Sequence, residues 1–186
     1  MLPTSKVFSI FEPYTEWVSK GKAGVPVELG LRVCVVEDQH RFILHHHVME
    51  KATDGQVAVP VAEQTKQRFP SMDSISFDKG FHSPANQEGL KAIVGQVVLP
   101  RKGKLSEAAK AMESGAEFAR LRRKHSAVES AINALGNHGL DRCPDHGIGG
   151  FKRYVALAVL ARNLQRLGAV LKEREARRRG PYKKAA

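Results

Sequence analysis

The sequence predicts a mixed α/β domain in which helices flank a core sheet of about four or five strands. Three observations predict this fold class: two β-rich runs surround a short polar break, further short apolar runs alternate with helical segments, and two long helical segments follow. The 186 residues suffice for about one domain. With 42% hydrophobic and 26% charged residues, the composition is that of a globular protein and excludes a wholly disordered chain.

The predicted strands lie mainly in the first half of the chain. Lys6–Phe11 is apolar and β-prone, and Pro13 ends it. The Val-rich stretch Pro26–Val36 and the run Phe42–Val48 are separated by the polar residues 37–40. Two β-rich runs around a short polar break predict a hairpin.

The remaining elements follow in order along the chain. Asp54 precedes a helical pattern, although Pro60 leaves the true start of that helix open. Ser83 before Pro84 favours the start of a further helix. The predicted elements are a helix over Gly55–Arg68, a short strand over Ser74–Phe77, a helix from Ser83 to Leu90, a buried strand over Ile93–Leu99, and long helices over Glu117–Leu135 and Phe151–Glu175. The last helix has the apolar positions Phe151, Tyr154, Val155, Leu157, Leu160, Leu164, Leu167 and Leu171.

The charge balance favours a polyanionic partner. The chain has 30 Lys and Arg against 19 Asp and Glu, a net charge of +11. Nucleic acid is the commonest partner of such a chain, although a ribosomal or membrane-surface protein has a similar balance. The longest apolar run, Val155–Ala161, is too short to span a bilayer. With no signal-peptide pattern and with two cysteines far apart, Cys34 and Cys143, we expect a cytoplasmic protein with reduced thiols.

Two carboxylates stand out as candidates for chemistry. Asp78 lies where a predicted strand ends and a glycine turn begins, and functional groups collect at such strand ends. Glu129 lies on a polar helical stripe with Arg122 and His125. Taken singly, Asp78 is better explained as a turn former and Glu129 as part of a solvated helix face.

Together with the basic surface, the two carboxylates favour a metal-dependent reaction on DNA. Mg²⁺ often binds through one or two carboxylates plus substrate phosphates. Two such ions can stabilise the attacking and leaving oxygens of a phosphoryl displacement. A site of this kind needs a third carboxylate, which composition does not identify.

Two further motifs have simpler explanations. His45–His47 looks like a metal cluster, but successive side chains of a strand point to opposite faces, so we interpret it as part of a hairpin arm, with metal binding as a lesser alternative. Gly147–Gly150 lacks the Lys-Ser/Thr of a phosphate-binding loop and is interpreted as a flexible turn.

Several stretches in sequence order resemble bacterial insertion-sequence transposases of the DDE type. The two most specific are Asp78–Phe81 (DKGF) and His125–Ser130 (HSAVES), and the resemblance runs from about Lys6 to Leu171. The other matching stretches are Phe11–Trp17, Lys20–Gly24, Val27–Gly30, Leu99–Gly103 and the helix Tyr154–Leu164.

The resemblance implies an RNase H-like fold, a mixed sheet flanked by helices, that lacks its first strand in this chain. It implies a partial catalytic domain over residues 1–175 and a basic, disordered tail over residues 176–186. The family's catalytic triad of two Asp and one Glu holds two Mg²⁺ or Mn²⁺ ions. By position, Asp78 corresponds to the second Asp and Glu129 to the Glu.

The first Asp of the triad has no counterpart. The only acidic residues before Val25 are Glu12 and Glu16, and neither lies in a fitting motif. With one metal ligand absent, we expect little or no strand transfer from this polypeptide alone.

The resemblance also implies partners and a location. The partners are transposon-end and target DNA, and a second copy or a full-length transposase, in the bacterial cytoplasm with the nucleoid and without a membrane. The DNA-binding set is Arg101, Lys102, Lys104, Arg122, Arg123, Lys124 and His125. Two alternatives remain open: a non-catalytic DNA-binding or regulatory remnant of a transposase, and a structural or RNA-associated basic protein.

Overall fold

The structure is a computed structural model that describes residues 6–19, 26–125, 135–136 and 143–179. Over these residues the chain is a mixed α/β protein. The strands are β1 (Glu16–Ser19), β2 (Val27–Gly30), β3 (Arg32–Glu37), β4 (Ile43–Met49), β5 (Ser74–Ser76) and β6 (Gln96–Val98). The helices are α1 (Asp54–Arg68), α2 (Pro84–Ile93), α3 (Glu107–Ser114), α4 (Ala116–His125) and α5 (Gly147–Arg179), with a 3-10 turn at Lys79–Phe81.

The predicted hairpin is confirmed as the antiparallel pair β3 and β4. Arg32 lies opposite Met49, and Cys34 lies opposite His47. The register shifts between Val36 and Glu37. Such a bulge changes the direction of the side chains that follow it. It lies where the hairpin approaches its turn.

The predicted first strand over Lys6–Phe11 is wrong, because that stretch has no strand conformation and belongs to none of the described sheets. The strand begins later, at Glu16, and β1 pairs antiparallel with β2. Pro13 and Tyr14 form a turn before it, which separates the apolar stretch from the ladder.

The short strands β5 and β6 form a parallel pair joined by α2. Ile75 lies opposite Val97, and the Phe77 amide donates to the Val98 carbonyl at 3.0 Å just beyond the ladder. The helix between them continues to Ile93, three residues past the predicted end at Leu90, and the second strand is correspondingly shorter than predicted. A crossover helix is the usual connection between parallel strands.

The described strands form three two-stranded sheets, so the predicted single core sheet of four or five strands is wrong for this part of the chain. Helix packing, and not a ladder of hydrogen bonds, connects the β3–β4 hairpin to the β5–β6 pair. α1 gives Ala58 and Ala62 to one apolar cluster with Ile75, and Val57 and Val61 to a second cluster with Cys34 and Met49. The side chain of Phe81 packs against both clusters.

The structure shows where α1 begins, which Pro60 left open in the sequence analysis. The helix begins at Asp54 behind the cap Thr53, which forms a reciprocal capping pair with Gln56. Pro60 lies inside the helix. The capping signal therefore decides where this helix starts, and the proline is accommodated in its interior.

The helices of the second half differ from prediction at their ends. α3 was not predicted, and the predicted helix Glu117–Leu135 is present as α4 up to His125. Residues 126–134 lie outside the described residues. α5 begins at Gly147, so the interpretation of Gly147–Gly150 as a flexible turn is wrong.

α5 also extends beyond the end predicted for it. Residues 176–179, predicted as the start of a disordered tail, continue the helix to Arg179. Residues 180–186 lie outside the described part of the chain. Within the described ranges, no helix combines the length and apolarity needed to cross a membrane.

Candidate functional site

Asp78 lies at the carboxyl end of the β5–β6 pair. β5 ends at Ser76, the buried Phe77 follows it, and Asp78 is the cap of the 3-10 turn. Its Oδ1 accepts the backbone N–H of Lys79 at 2.7 Å, and the side chain is exposed. The sequence placed this carboxylate correctly at a strand end next to a turn.

The basic loop after β6 meets the same turn. The carboxyl ends of two parallel strands lie at one edge of a sheet, and Lys102 lies four residues beyond the end of β6. Its Nζ donates to the Gly80 carbonyl at 2.5 Å. The structure therefore brings Lys102 to the Asp78 turn.

A second carboxylate reaches this turn from α1. A Cβ atom on Gly80 would stand 2.9 Å from Asp54 Oδ2, so the Asp54 side chain touches the turn at its glycine. Arg32 at the start of β3 holds the other oxygen, with 3.1 Å between Nη1 and Asp54 Oδ1, and its Nη2 donates to the Ala52 carbonyl at 2.6 Å. The sequence analysis named Asp54 only as the residue before a helical pattern, since a contact between residues 26 positions apart leaves no local signal.

Asn86 fixes the turn against α1 and was also missed. Its side-chain amide donates to the carbonyls of Gly55 and Phe81, both at 2.7 Å, and the residue is buried. The sequence signal that could have identified Asn86 is an amide side chain on the side of the helix that faces the core. The predicted cap at Ser83 is confirmed, because its Oγ accepts the Asn86 N–H at 3.1 Å.

Four further basic candidates, Arg101, Lys104, Arg122 and Arg123, have exposed side chains. Arg101 and Lys104 flank Lys102, and the Arg101 backbone N–H donates to Glu113 Oε1 at 2.9 Å, which ties the loop to α3. Arg122 and Arg123 are exposed on α4, the helix that packs against β5 and β6.

Three of the predicted site residues are not placed in detail. Lys124 and His125 belong to α4, but their side chains lie outside the description. Glu129 lies outside the described residues altogether. The pairing of Asp78 with Glu129 therefore stays a prediction.

The three histidines of β4 do not separate as strand alternation predicts, because only His45 is buried and His46 and His47 lie together at the surface. His45 is buried, and neither of its ring nitrogens has a hydrogen-bond partner among the described residues. Burial lowers its pKa, and the charge of Arg68 lowers it further. His46 and His47 instead line a shallow depression beside Lys152. Among the described residues, no group of three or more His, Cys, Asp or Glu is arranged to hold a metal ion.

Comparisons with known proteins add no relative. No family model, no curated protein and no solved structure matches the chain. The structure defines a mixed α/β protein with a cluster of polar side chains at the end of a parallel strand pair. The exposed Asp78, the Lys102 side chain and the Asp54 carboxylate, which is paired with Arg32, meet at this turn.

Proposed function

We propose that this chain carries the RNase H-like catalytic fold of a DDE transposase and acts on DNA. The proposed chemistry is metal-dependent cleavage and strand transfer at transposon ends, with Asp78 and Glu129 as catalytic carboxylates. The observation that carries the proposal is the position of Asp78 at the carboxyl edge of a parallel pair, with Lys102 from the loop after β6 hydrogen-bonded to the same turn. Ligands of open α/β sheets bind at this edge.

The surface charge supports a nucleic-acid substrate. The net charge is +11, the side chains of Arg101, Lys102 and Lys104 are exposed, and Lys102 hydrogen-bonds the Asp78 turn. Lysine and arginine neutralise phosphates and release counterions, so binding of this kind weakens steeply as salt rises. The basic loop would position a phosphodiester beside the carboxylate.

The proposed metal site is only partly present among the described residues. Asp78 and Glu129 would hold Mg²⁺ or Mn²⁺, and such ions neutralise phosphate oxygens during displacement. Asp78 is described and exposed, but the nearby Asp54 is engaged by Arg32 through one oxygen. The described side chains alone do not complete a two-ion site. Because the first Asp of the triad has no counterpart in the sequence, we expect weak metal binding and little or no strand transfer from this polypeptide alone.

The test measures metal binding and DNA nicking on the full chain. Mn²⁺ binding is followed by electron paramagnetic resonance, and nicking is followed on supercoiled DNA with Mg²⁺ or Mn²⁺. Asp78→Asn and Glu129→Gln should each abolish any metal-dependent nicking and weaken Mn²⁺ binding. Asp73→Asn is the matched control, because Asp73 is an exposed aspartate at the opposite end of β5. Equal Mn²⁺ binding by all three variants and the native chain would contradict the proposed site.

A non-catalytic DNA-binding role is the second candidate. The exposure of Arg101, Lys104 and Arg122 favours it, since phosphate binding by these side chains requires no metal. DNA binding that persists in EDTA and in both carboxylate variants, without nicking, would support this role. Absence of binding to any DNA at low salt would contradict both candidates and leave the structural or RNA-associated alternative.

A further inference from the structure

Two carboxylates and two positive side chains meet at the turn that carries Asp78. The Asp54 carboxylate lies against this turn, since a Cβ atom on Gly80 would stand 2.9 Å from Asp54 Oδ2. The Lys102 ammonium donates to the Gly80 carbonyl. The Arg32 guanidinium, from the start of β3, lies 3.1 Å from Asp54 Oδ1. The negative charges at this turn are therefore matched by positive charges of the chain itself.

Arg32 is held in a fixed position beside Asp54. It is the first residue of β3 and lies opposite Met49 in the ladder. Its Nη1 donates to Asp54 Oδ1 at 3.1 Å and its Nη2 donates to the Ala52 carbonyl at 2.6 Å, so turning the guanidinium away would break two hydrogen bonds. A guanidinium in a protein stays protonated. Arg32 is therefore a permanent positive charge at this place.

The Asp54 carboxylate is already neutralised from two directions. Arg32 donates to Oδ1, and Oδ2 lies beside Gly80. Asp54 is also the first residue of α1, where the positive end of the helix dipole favours a negative charge. Because Mg²⁺ binds through carboxylate oxygens, a metal ion at Asp54 would compete with both the guanidinium and the helix end.

We propose that Arg32 takes the place of one of the two metal ions, so that the Asp78 turn binds a single divalent cation. The ions of a two-ion site lie about 3.5–4 Å apart, so a second ion would need a further carboxylate close to Asp78. Asp54 is a carboxylate that the structure brings to this turn, and Arg32 both occupies it and repels a second cation. The inference rests on the proposed function, because it concerns the metal at that same site.

The test is a titration of the full chain with Mn²⁺, followed by electron paramagnetic resonance, which gives the number of bound ions and their dissociation constant. The native chain should bind at most one Mn²⁺. Arg32→Gln should lower the dissociation constant by about 10-fold or add a second bound Mn²⁺, because it removes a unit positive charge and releases Asp54. Urea denaturation measures whether the variant remains folded.

The double variant of Arg32→Gln with Asp54→Asn tests the cause of the gain. It should bind Mn²⁺ as the native chain does, because the carboxylate that Arg32→Gln releases is then absent. Arg32→Lys should keep the native number of ions, because it keeps the positive charge. Arg41→Gln is the matched control. It removes the same charge from an exposed arginine at the opposite end of the hairpin and should change the dissociation constant by less than about 2-fold.

Asp54→Asn alone tests the inference even where Arg32→Gln is too unstable to measure. The native chain uses Asp54 to hold Arg32 and not to hold a metal ion. Removing the carboxylate charge while Arg32 is intact should therefore not increase the number of bound ions, and it should leave the dissociation constant within about 2-fold of the native value.

Four results would overturn the inference. They are two Mn²⁺ ions bound per native chain, weaker binding in Asp54→Asn, unchanged binding in a folded Arg32→Gln, and a gain that persists in the double variant. If Asp78→Asn weakens Mn²⁺ binding while one of these results is obtained, the proposed site stands and the role of Arg32 fails. Absence of Mn²⁺ binding by both the native chain and Arg32→Gln would overturn the inference together with the proposed site.

Discussion

Asp54 and Gly80 are in such close contact that a Cβ atom on the glycine would stand 2.9 Å from Asp54 Oδ2. The carboxylate cannot simply swing aside, because its other oxygen pairs with Arg32 at 3.1 Å. The contact joins the start of α1 to the turn that carries Asp78. Position 80 therefore requires glycine because the Asp54 carboxylate lies so close to it, and not because of its backbone dihedral angles.

Gly80→Ala is expected to destabilise the protein by about 1–3 kcal/mol, the usual range for overpacking. The added methyl group must displace Asp54 and so disturbs its ion pair with Arg32. Urea denaturation of the native and variant chains measures the change in the free energy of unfolding.

An Asp54→Ala background tests the cause of this loss. Removing the carboxylate removes the clash, so Gly80→Ala should cost less there, and the two substitutions should be non-additive. Gly168→Ala is the matched control. It adds a methyl group with no atom within 4 Å inside α5 and should stabilise the helix by about 0.5–1 kcal/mol. Additive losses from Gly80→Ala and Asp54→Ala would contradict the steric explanation.

Asn86→Ala is expected to destabilise the protein by about 2–3 kcal/mol. The substitution leaves the carbonyls of Gly55 and Phe81 without their amide donor in a buried site. Thermal unfolding gives the size of the loss. The matched control is Glu88→Ala, two residues along the same helix and exposed, which should change stability by less than about 0.5 kcal/mol.

Local sequence patterns predicted the elements whose causes are local. The β3–β4 hairpin follows from two β-rich runs, and the cap of α2 follows from Ser83 before Pro84. Asp78 could be placed at a strand end for the same reason. The contacts of Asp54 and Asn86 with the Asp78 turn depend on how α1 packs, and no short window of sequence contains that information.

The leucines of α5 show a second limit of sequence reasoning. Val155 and Leu157 are equally apolar in a periodicity argument, but the first is fully buried and the second is 61% exposed. Which of two apolar faces packs on the hairpin depends on shape and on polar contacts such as that of Asn163. Periodicity therefore predicted the helix correctly and did not distinguish its two apolar faces.

The stability of the protein is expected to fall as the pH decreases below about 6.5, the ordinary pKa of histidine. Burial lowers the folded-state pKa of both His45 and His46, and the charge of Arg68 lowers both pKa values further. Between the lowered pKa and about 6.5, the unfolded chain binds more protons than the folded chain. The free energy of unfolding therefore drops with decreasing pH, by up to about 1.4 kcal/mol per pH unit for each imidazole.

His45→Leu should flatten this pH dependence between pH 7.5 and 5.5, as measured by urea denaturation at each pH. It should also maintain or raise stability at pH 7.5, because both ring nitrogens of His45 are buried without a partner. His40→Gln is the control, since His40 is exposed in the hairpin turn. An unchanged pH dependence in His45→Leu would show that another group causes the acid sensitivity.

Asn163 completes the backbone pairing of β4 from outside the strand. Its Oδ1 accepts the Ile43 N–H and its Nδ2 donates to the Ile43 carbonyl, both at 2.9 Å. Asn163→Ala should destabilise the protein by about 1–3 kcal/mol, because both backbone groups of a buried residue lose their partner.

Hydrogen exchange of the Ile43 amide should accelerate by more than that of the amides in α1, because the loss is local to the contact between α5 and the hairpin. Lys172→Ala, an exposed change on the same helix, should leave the Ile43 exchange rate unchanged. Equal acceleration in both variants would mean that Asn163 does not fix α5 to the hairpin.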